Sequence, residues 1–86
     1  MNTFAISYDL NKPGQNYESL FARLVQHGAF RVQLSQWALA TTWTAAQLRD
    51  DLMRYIDAND RLLVIQIGNW ASFNLLAGNK LKEIAA

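Results

Sequence analysis

The stretch TFAISYD, residues 3–9, predicts the first strand, and the rest of the fold can be arranged around it. It is a run of strand-forming residues that ends on an acid, and Pro13 and Gly14 follow soon after and stop the strand. Asp9 is therefore expected at the rim of a sheet, where ligands and metals reach a small domain. The alternative is that its carboxylate accepts hydrogen bonds from loop amides, as aspartate often does in turns.

Length and composition indicate one packed domain. The chain has 86 residues, of which 51% are hydrophobic and 12% aromatic. A chain of this size buries only a modest core, so some of the aromatic residues are expected at a partner surface. The net charge of +1 excludes the strongly basic surface of an autonomous nucleic-acid binder, but it does not exclude a nuclease that touches few phosphates.

The sequence also indicates the cellular compartment. It contains no cysteine, which excludes disulfides and thiolate chemistry and fits a reducing environment. No apolar run approaches the roughly 18 residues of a membrane span, and no basic-then-apolar leader opens the chain. We therefore expect a cytoplasmic protein without membrane association.

Two helices are predicted. Residues 17–26 carry apolar side chains at helical spacing, with Gln15 or Asn16 as the cap. Thr44 and Gln47 form a capping box that starts a second helix at Ala45, and this helix is expected to end near Asn59.

Three further stretches read as strands. Residues 29–33 and 36–41 both alternate between apolar and small or polar side chains. They form either one bent strand or two strands joined by a tight turn near Leu34 and Ser35. Residues 62–67 are nearly all apolar, which predicts a strand that is covered on most sides.

The predicted order is strand, helix, strand, strand, helix, strand. It is typical of a ferredoxin-like α+β fold, in which βαββαβ elements form an antiparallel sheet with two helices on one face. We therefore predict a single domain over residues 1–86, with its core at 3–67. Residues 68–86 form a tail that holds either an added strand or a short helix.

Three motifs, in order and at compatible spacing, resemble the CRISPR-associated protein 2 (Cas2) family. Residues 6–9, ISYD, look like the family's "YD" strand end, and residues 31–37, RVQLSQW, look like its "RVQxSxF" strand pair. Residues 44–48, TAAQL, are similar to the "S/T-x-x-Q-L" start of its second helix, and 62–67 match the position of its fourth strand. The virulence-associated protein D toxins share the general fold and the acid at the end of the first strand.

This resemblance implies a two-fold homodimer in which the tail adds a strand to the partner's sheet and the two Asp9 positions face each other across the axis. Some family members are metal-dependent nucleases that act on RNA or DNA, and others bridge DNA between integrase subunits. The resemblance does not choose between these roles.

If two Asp9 carboxylates meet at a dimer axis, one keeps a proton or a cation lies between them. Mg²⁺ suits that place because it binds through one or two carboxylates, waters and a substrate phosphate. In this hypothesis Arg31 binds a phosphate, Ser35 and Tyr8 donate hydrogen bonds, and Trp37 stacks on a base. The predicted catalytic residues are thus Tyr8, Asp9, Arg31 and Ser35, and the predicted nucleic-acid contacts are Lys12, Arg31 and Trp37.

Each of these side chains also has a structural interpretation. Arg31 can pair with a surface acid, Ser35 can form the bend between strands, and Tyr8 and Trp37 can be core or dimer-interface residues. His27, the one histidine, has neither a second histidine nor a cysteine to form a zinc site, and its position suits the end of a helix.

Three functional hypotheses follow from the sequence. The first is a Mg²⁺-dependent endonuclease dimer with Asp9 as metal ligand. The second is a non-catalytic dimeric module that binds nucleic acid or a protein partner, which the surplus aromatic residues and the near-neutral charge favour. The third is a toxin-type ribonuclease built on the same fold.

Overall fold

A computed structural model describes residues 1–11 and 17–85 of the chain. Lys12, Pro13, Gly14 and the two predicted caps Gln15 and Asn16 lie outside these residues. The described elements are β1 (Asn2–Asp9), α1 (Glu18–Gln26), β2 (Phe30–Gln33), β3 (Gln36–Thr41), α2 (Ala45–Leu52), a 3₁₀ turn (Met53–Tyr55), β4 (Arg61–Gln66) and α3 (Gly78–Ile84).

In the described part of the chain the strands form one antiparallel sheet in the order β2-β3-β1-β4. The first strand therefore lies inside the sheet between β3 and β4, and β4 is an edge strand. Together with the helices this confirms the predicted α+β class, and the architecture is compatible with a ferredoxin-like fold. Residues 34 and 35 form the turn between β2 and β3, so the two-strand interpretation of this region is the correct one.

The main core lies between one face of the sheet and the first two helices. Alternation along β1 turns Phe4, Ile6 and Tyr8 toward this side, where all three are buried. They pack in one cluster with Leu24 of α1 and Leu48 of α2, which are fully buried. Both predicted helices therefore cover the same face.

The other face of the sheet, which we call the outer face, carries Ser7 and Asp9 of β1 and Leu63 and Ile65 of β4. The tail packs on the β2–β3 side of it, where Leu81 of α3 lies in a second, smaller cluster, and it reaches β1 through a hydrogen bond from Thr3 Oγ1 to the Ile84 carbonyl. Over β4 the outer face is largely open, because 58% of Leu63 and 43% of Ile65 are exposed, and the neighbouring Asp9 of β1 is exposed as well. The prediction that β4 is covered on most sides is therefore wrong for the single chain.

The start of α2 agrees with the sequence, whereas its end does not. The Thr44 side chain accepts a hydrogen bond from the Gln47 amide, and the Gln47 side chain accepts one from the Thr44 amide. The prediction that this helix runs to Asn59 is wrong, because α2 ends at Leu52 and continues only as the 3₁₀ turn. Ile56 adopts extended backbone and packs against the core, which takes the chain out of helical geometry.

The tail follows β4, and α3 begins within it at Gly78. The sequence leaves this tail as either a strand or a short helix, and its described part, residues 68–85, contains the helix and no strand. None of the helices among the described residues has the length and apolar character needed to cross a lipid bilayer.

Candidate functional site

Asp9 is the last residue of β1, and it lies at one end of the sheet on the outer face. Antiparallel pairing sets it opposite Arg61, the first residue of β4. Arg61 Nη1 lies 3.7 Å from Asp9 Oδ2, and 66% of the Asp9 side chain is exposed. An exposed pair at this distance contributes little to stability, so the carboxylate remains accessible to a ligand.

A shallow cleft opens beside this carboxylate. It has a volume of about 240 Å³ and is lined by residues 7–9 of β1 and 61–63 of β4. Its walls include Leu63 and the stem of Arg61, so apolar and charged groups border the same opening. The structure thus places Asp9 at the rim of the sheet, where its position at a strand end predicts it.

The Tyr8 side chain lies on the opposite side of the sheet, toward the helices, and it is buried there. Its hydroxyl accepts a hydrogen bond from Trp37 Nε1 at 2.9 Å and donates one to the Leu34 carbonyl at 3.4 Å. Trp37 is buried as well, so its ring has little free surface on which a base could stack. A catalytic role for Tyr8 and a base contact for Trp37 stay predictions, which would require both side chains to become uncovered.

Arg31 lies on the same side of the sheet as Trp37. Its Cζ is 4.9 Å from the centre of the Phe21 ring and 5.0 Å from that of Trp37, which is a cation–π arrangement. Arg31 Nε is buried without a hydrogen-bond partner, and no described acid pairs with this guanidinium. Because an unpaired buried donor is costly, an anion that accepts from Arg31 would be favoured there.

Ser35 lies in the turn between β2 and β3, at the same end of the sheet as Asp9. Its carbonyl accepts a hydrogen bond from the Tyr8 amide at 3.1 Å, so this turn is joined to β1 next to the acid. The bend-forming role describes its position, and a catalytic role stays a prediction. Lys12 lies outside the described residues.

The predicted site residues therefore fall into two groups on opposite faces of the sheet. Asp9 and Ser35 share the rim, whereas Arg31 and Trp37 lie on the helix side together with the Tyr8 ring. A single chain does not bring Arg31 next to Asp9, because Arg31 pairs with Trp37, far from the end of β1. One phosphate cannot contact both residues of the same chain in this arrangement.

The donor set at Asp9 limits what a single chain can bind. Among residues 1–11 and 17–85 there is no group of three acidic, histidine or cysteine side chains that could hold a metal ion. A hard-oxygen ion such as Mg²⁺ can bind through one or two carboxylates and several waters, and Asp9 has the required exposure and donor type. A second carboxylate would have to come from another copy of the chain.

A charged cluster between α1 and α2 is not evident from the sequence. The Asp51 carboxylate accepts two hydrogen bonds from Arg23, at 2.7 and 3.0 Å, and lies 2.7 Å from His27 Nε2. Asp51 and His27 are largely buried, and the Trp43 ring meets the imidazole edge-on at 4.8 Å. His27 is indeed at the end of α1, but its side chain connects the two helices.

This cluster gives stability that depends on pH. The hydrogen bonds from Arg23 hold the pKa of Asp51 below its usual value; burial acts in the opposite direction, and the contact with His27 lowers it further. A carboxylate with a depressed folded-state pKa stabilises the protein above its unfolded-state pKa and loses this contribution as the pH falls through the folded value.

We therefore expect the free energy of unfolding to fall as the pH drops below about 4, the ordinary pKa of an aspartate, and to fall less steeply in Asp51→Asn. Urea unfolding at a series of pH values measures this free energy for both proteins. Asp50→Asn is the matched control, because Asp50 is the neighbouring acid and is exposed. Identical pH profiles for wild type and Asp51→Asn would contradict the expectation.

No protein-family model and no solved structure matches this chain. The relation to the Cas2 family therefore depends on the ordered motifs and stays a proposal.

Proposed function

We propose that this chain is a Cas2-like protein with a ferredoxin-like βαββαβ core, and that it acts as a homodimeric, Mg²⁺-dependent endonuclease on RNA or DNA. The order of its motifs and the sheet order β2-β3-β1-β4 support the fold assignment. A reducing, cytoplasmic location fits the absence of cysteine. One observation carries the functional part: the exposed Asp9 carboxylate lies on the same face of the sheet as the exposed side chains of Leu63 and Ile65.

These two side chains favour a dimer. Branched aliphatic residues next to each other on a strand lose their contact with water when a second copy covers them, which is the main driving force for association. The proposed two-fold axis passes through the outer face over β1 and β4. Asp9 lies at the end of this surface, and we place the axis near that end so that the two Asp9 carboxylates face each other.

The paired carboxylates are the proposed metal ligands. Two aspartates and a phosphate provide the hard oxygen donors that Mg²⁺ prefers. The chemistry that such an ion supplies is polarisation of a phosphate and activation of water for phosphodiester hydrolysis. Arg61 lies beside Asp9 and would bind a neighbouring phosphate oxygen once its weak contact with the carboxylate is released.

Replacing Asp9 tests the proposal. We expect wild-type protein to cleave single-stranded RNA or duplex DNA only with Mg²⁺, and Asp9→Asn to cleave at least about tenfold more slowly because one carboxylate ligand per chain is lost. Asp50→Asn, an exposed acid on α2, is the control and should retain full activity. Equal activity in Asp9→Asn and wild type, or no cleavage by either, would refute the assignment.

A second candidate is a non-catalytic dimeric binding module. The positive charge of Arg61 beside Asp9 favours it, because a nearby cation repels a metal ion and lowers its affinity for the carboxylate. Gel shifts at increasing salt distinguish its ligands, since binding through phosphates weakens steeply with salt. A shift at low salt without cleavage would support this module, and cleavage that depends on Asp9 would exclude it.

A further inference from the structure

A cavity of about 370 Å³ lies on the outer face, on the β2–β3 side, between the sheet and the tail. Its size is that of a small-molecule site. Its lining combines sheet residues with an apolar and aromatic wall from the tail. The lining residues that matter for its chemistry are Ala5, Gln33, Gln36, Trp70, Phe73 and Leu75.

Two glutamines form the polar side of this cavity. Gln33 Nε2 donates to Gln36 Oε1 at 2.8 Å, and Gln36 Nε2 donates to Ser7 Oγ at 2.9 Å. This chain of hydrogen bonds fixes the orientation of both amides on the strands. Oε1 of Gln33 and its second amide hydrogen have no partner among the described residues, so one acceptor and one donor remain available side by side.

The aromatic wall comes from Trp70 and Phe73. Trp70 packs partly against the smaller core cluster, whereas Phe73 lines the cavity with 86% of its surface exposed. The tail backbone next to Phe73 is joined to the sheet, because the Leu76 amide donates a hydrogen bond to the Val32 carbonyl at 2.9 Å.

We propose that this cavity binds an unpaired purine base, which names the substrate class of the proposed nuclease and rests on that proposed function. A flat heterocycle fits against the exposed face of Phe73, because bases stack on aromatic side chains. The free donor and acceptor of Gln33 match the adjacent acceptor and donor on an adenine edge, as amide side chains do in base recognition.

The position of the cavity relative to Asp9 supports the same ligand. Ser7, which anchors Gln36, lies two residues before Asp9 on the same strand and the same face, a distance of about 7 Å along β1. The cavity and the Asp9 cleft therefore lie close together on one face, so a nucleotide whose base occupies the cavity can place its phosphate at the cleft. A base inside a duplex is excluded from this contact because both of its faces are stacked on neighbouring bases and cannot pack on Phe73.

Isothermal titration with AMP and with ribose 5-phosphate, which lacks the base, tests the proposal. We expect wild-type protein to bind AMP at least about tenfold more tightly than ribose 5-phosphate, since base stacking supplies that difference. Phe73→Ala and Gln33→Ala should each weaken AMP binding by about fivefold or more. Leu76→Ala is the matched control, because Leu76 is an exposed apolar residue of the same tail that does not line the cavity.

The test of the base site can fail or succeed independently of the nuclease assignment. AMP binding is measured without Mg²⁺, where the proposed cleavage does not occur, so the affinity reports the base site alone. Equal affinity for AMP and ribose 5-phosphate, or unchanged AMP binding in Phe73→Ala, would overturn the base site even if cleavage depends on Asp9. Closure of the cavity by a second copy would also overturn it, and would appear as AMP binding that vanishes at dimer concentrations.

Discussion

Replacing Leu39 with alanine is expected to lower the free energy of unfolding by about 2–5 kcal/mol. Leu39 is in the middle of β3, is fully buried, and belongs to the core cluster between the sheet and the first two helices. Alanine would remove its apolar contacts and leave a cavity that neighbours such as Phe4 can fill only in part. In a domain of this length the fall in Tm should be at least ~8 °C, measured by thermal and urea unfolding.

The matched control is Leu34→Ala, because Leu34 is the same residue type in the turn before β3 but 81% exposed. Its effect should lie within about 0.5 kcal/mol of zero. Similar losses for both variants would mean that Leu39 is not in a packed interior. The comparison therefore tests the placement of the core without reference to any function.

The second large effect concerns the proposed dimer. Leu63→Asp should raise the dimer dissociation constant by at least about 100-fold, because a two-fold contact through the outer face would bury two copies of the new carboxylate at once. Sedimentation velocity over a range of protein concentrations measures the change. The folded monomer should survive, since Leu63 is mostly exposed in the single chain.

Val25→Asp provides the control for this experiment. Val25 is an exposed apolar residue of α1, on the opposite side of the sheet from Leu63. Its replacement should leave association unchanged. A wild-type protein that sediments as a monomer at high concentration, or a Leu63→Asp variant that still dimerises, would remove the basis for pairing two Asp9 carboxylates.

The local parts of the fold could be predicted from sequence because their causes are local. The capping box at Thr44 and Gln47 requires only residues three apart, and it starts α2 at the predicted position. The alternation in β1 likewise shows directly which side chains face the core. The end of α2 could not be predicted, because Ile56 leaves the helix to pack against residues distant in sequence.

The exposure of β4 also could not be predicted, for a related reason. An apolar run such as residues 62–67 is the same whether a tail, a partner or water covers one of its faces. Here α3 packs over β2 and β3 and leaves Leu63 uncovered. Which side of the sheet the tail covers depends on contacts between Leu81 and Val32, and no sequence period encodes those contacts.

The acid of the candidate site could be predicted from the sequence, but the residues that surround it could not. The position of Asp9 at the rim could be predicted because the first strand ends on this carboxylate. Arg61 could have been found from the antiparallel register, which sets the first residue of β4 opposite the last of β1. The separation of Arg31 from Asp9 depends on strand order, so a list of polar residues gives no sign of it.

The edge position of β4 has a consequence for how this protein must be handled. Residues 62–67, LLVIQI, carry neither charge nor proline, and such a segment with a free strand edge is a template for cross-β fibrils. Arg61 is the flanking charge that opposes this stacking. Conditions or variants that detach β4 from β1 should therefore lead to aggregated material sooner than to a dispersed unfolded chain.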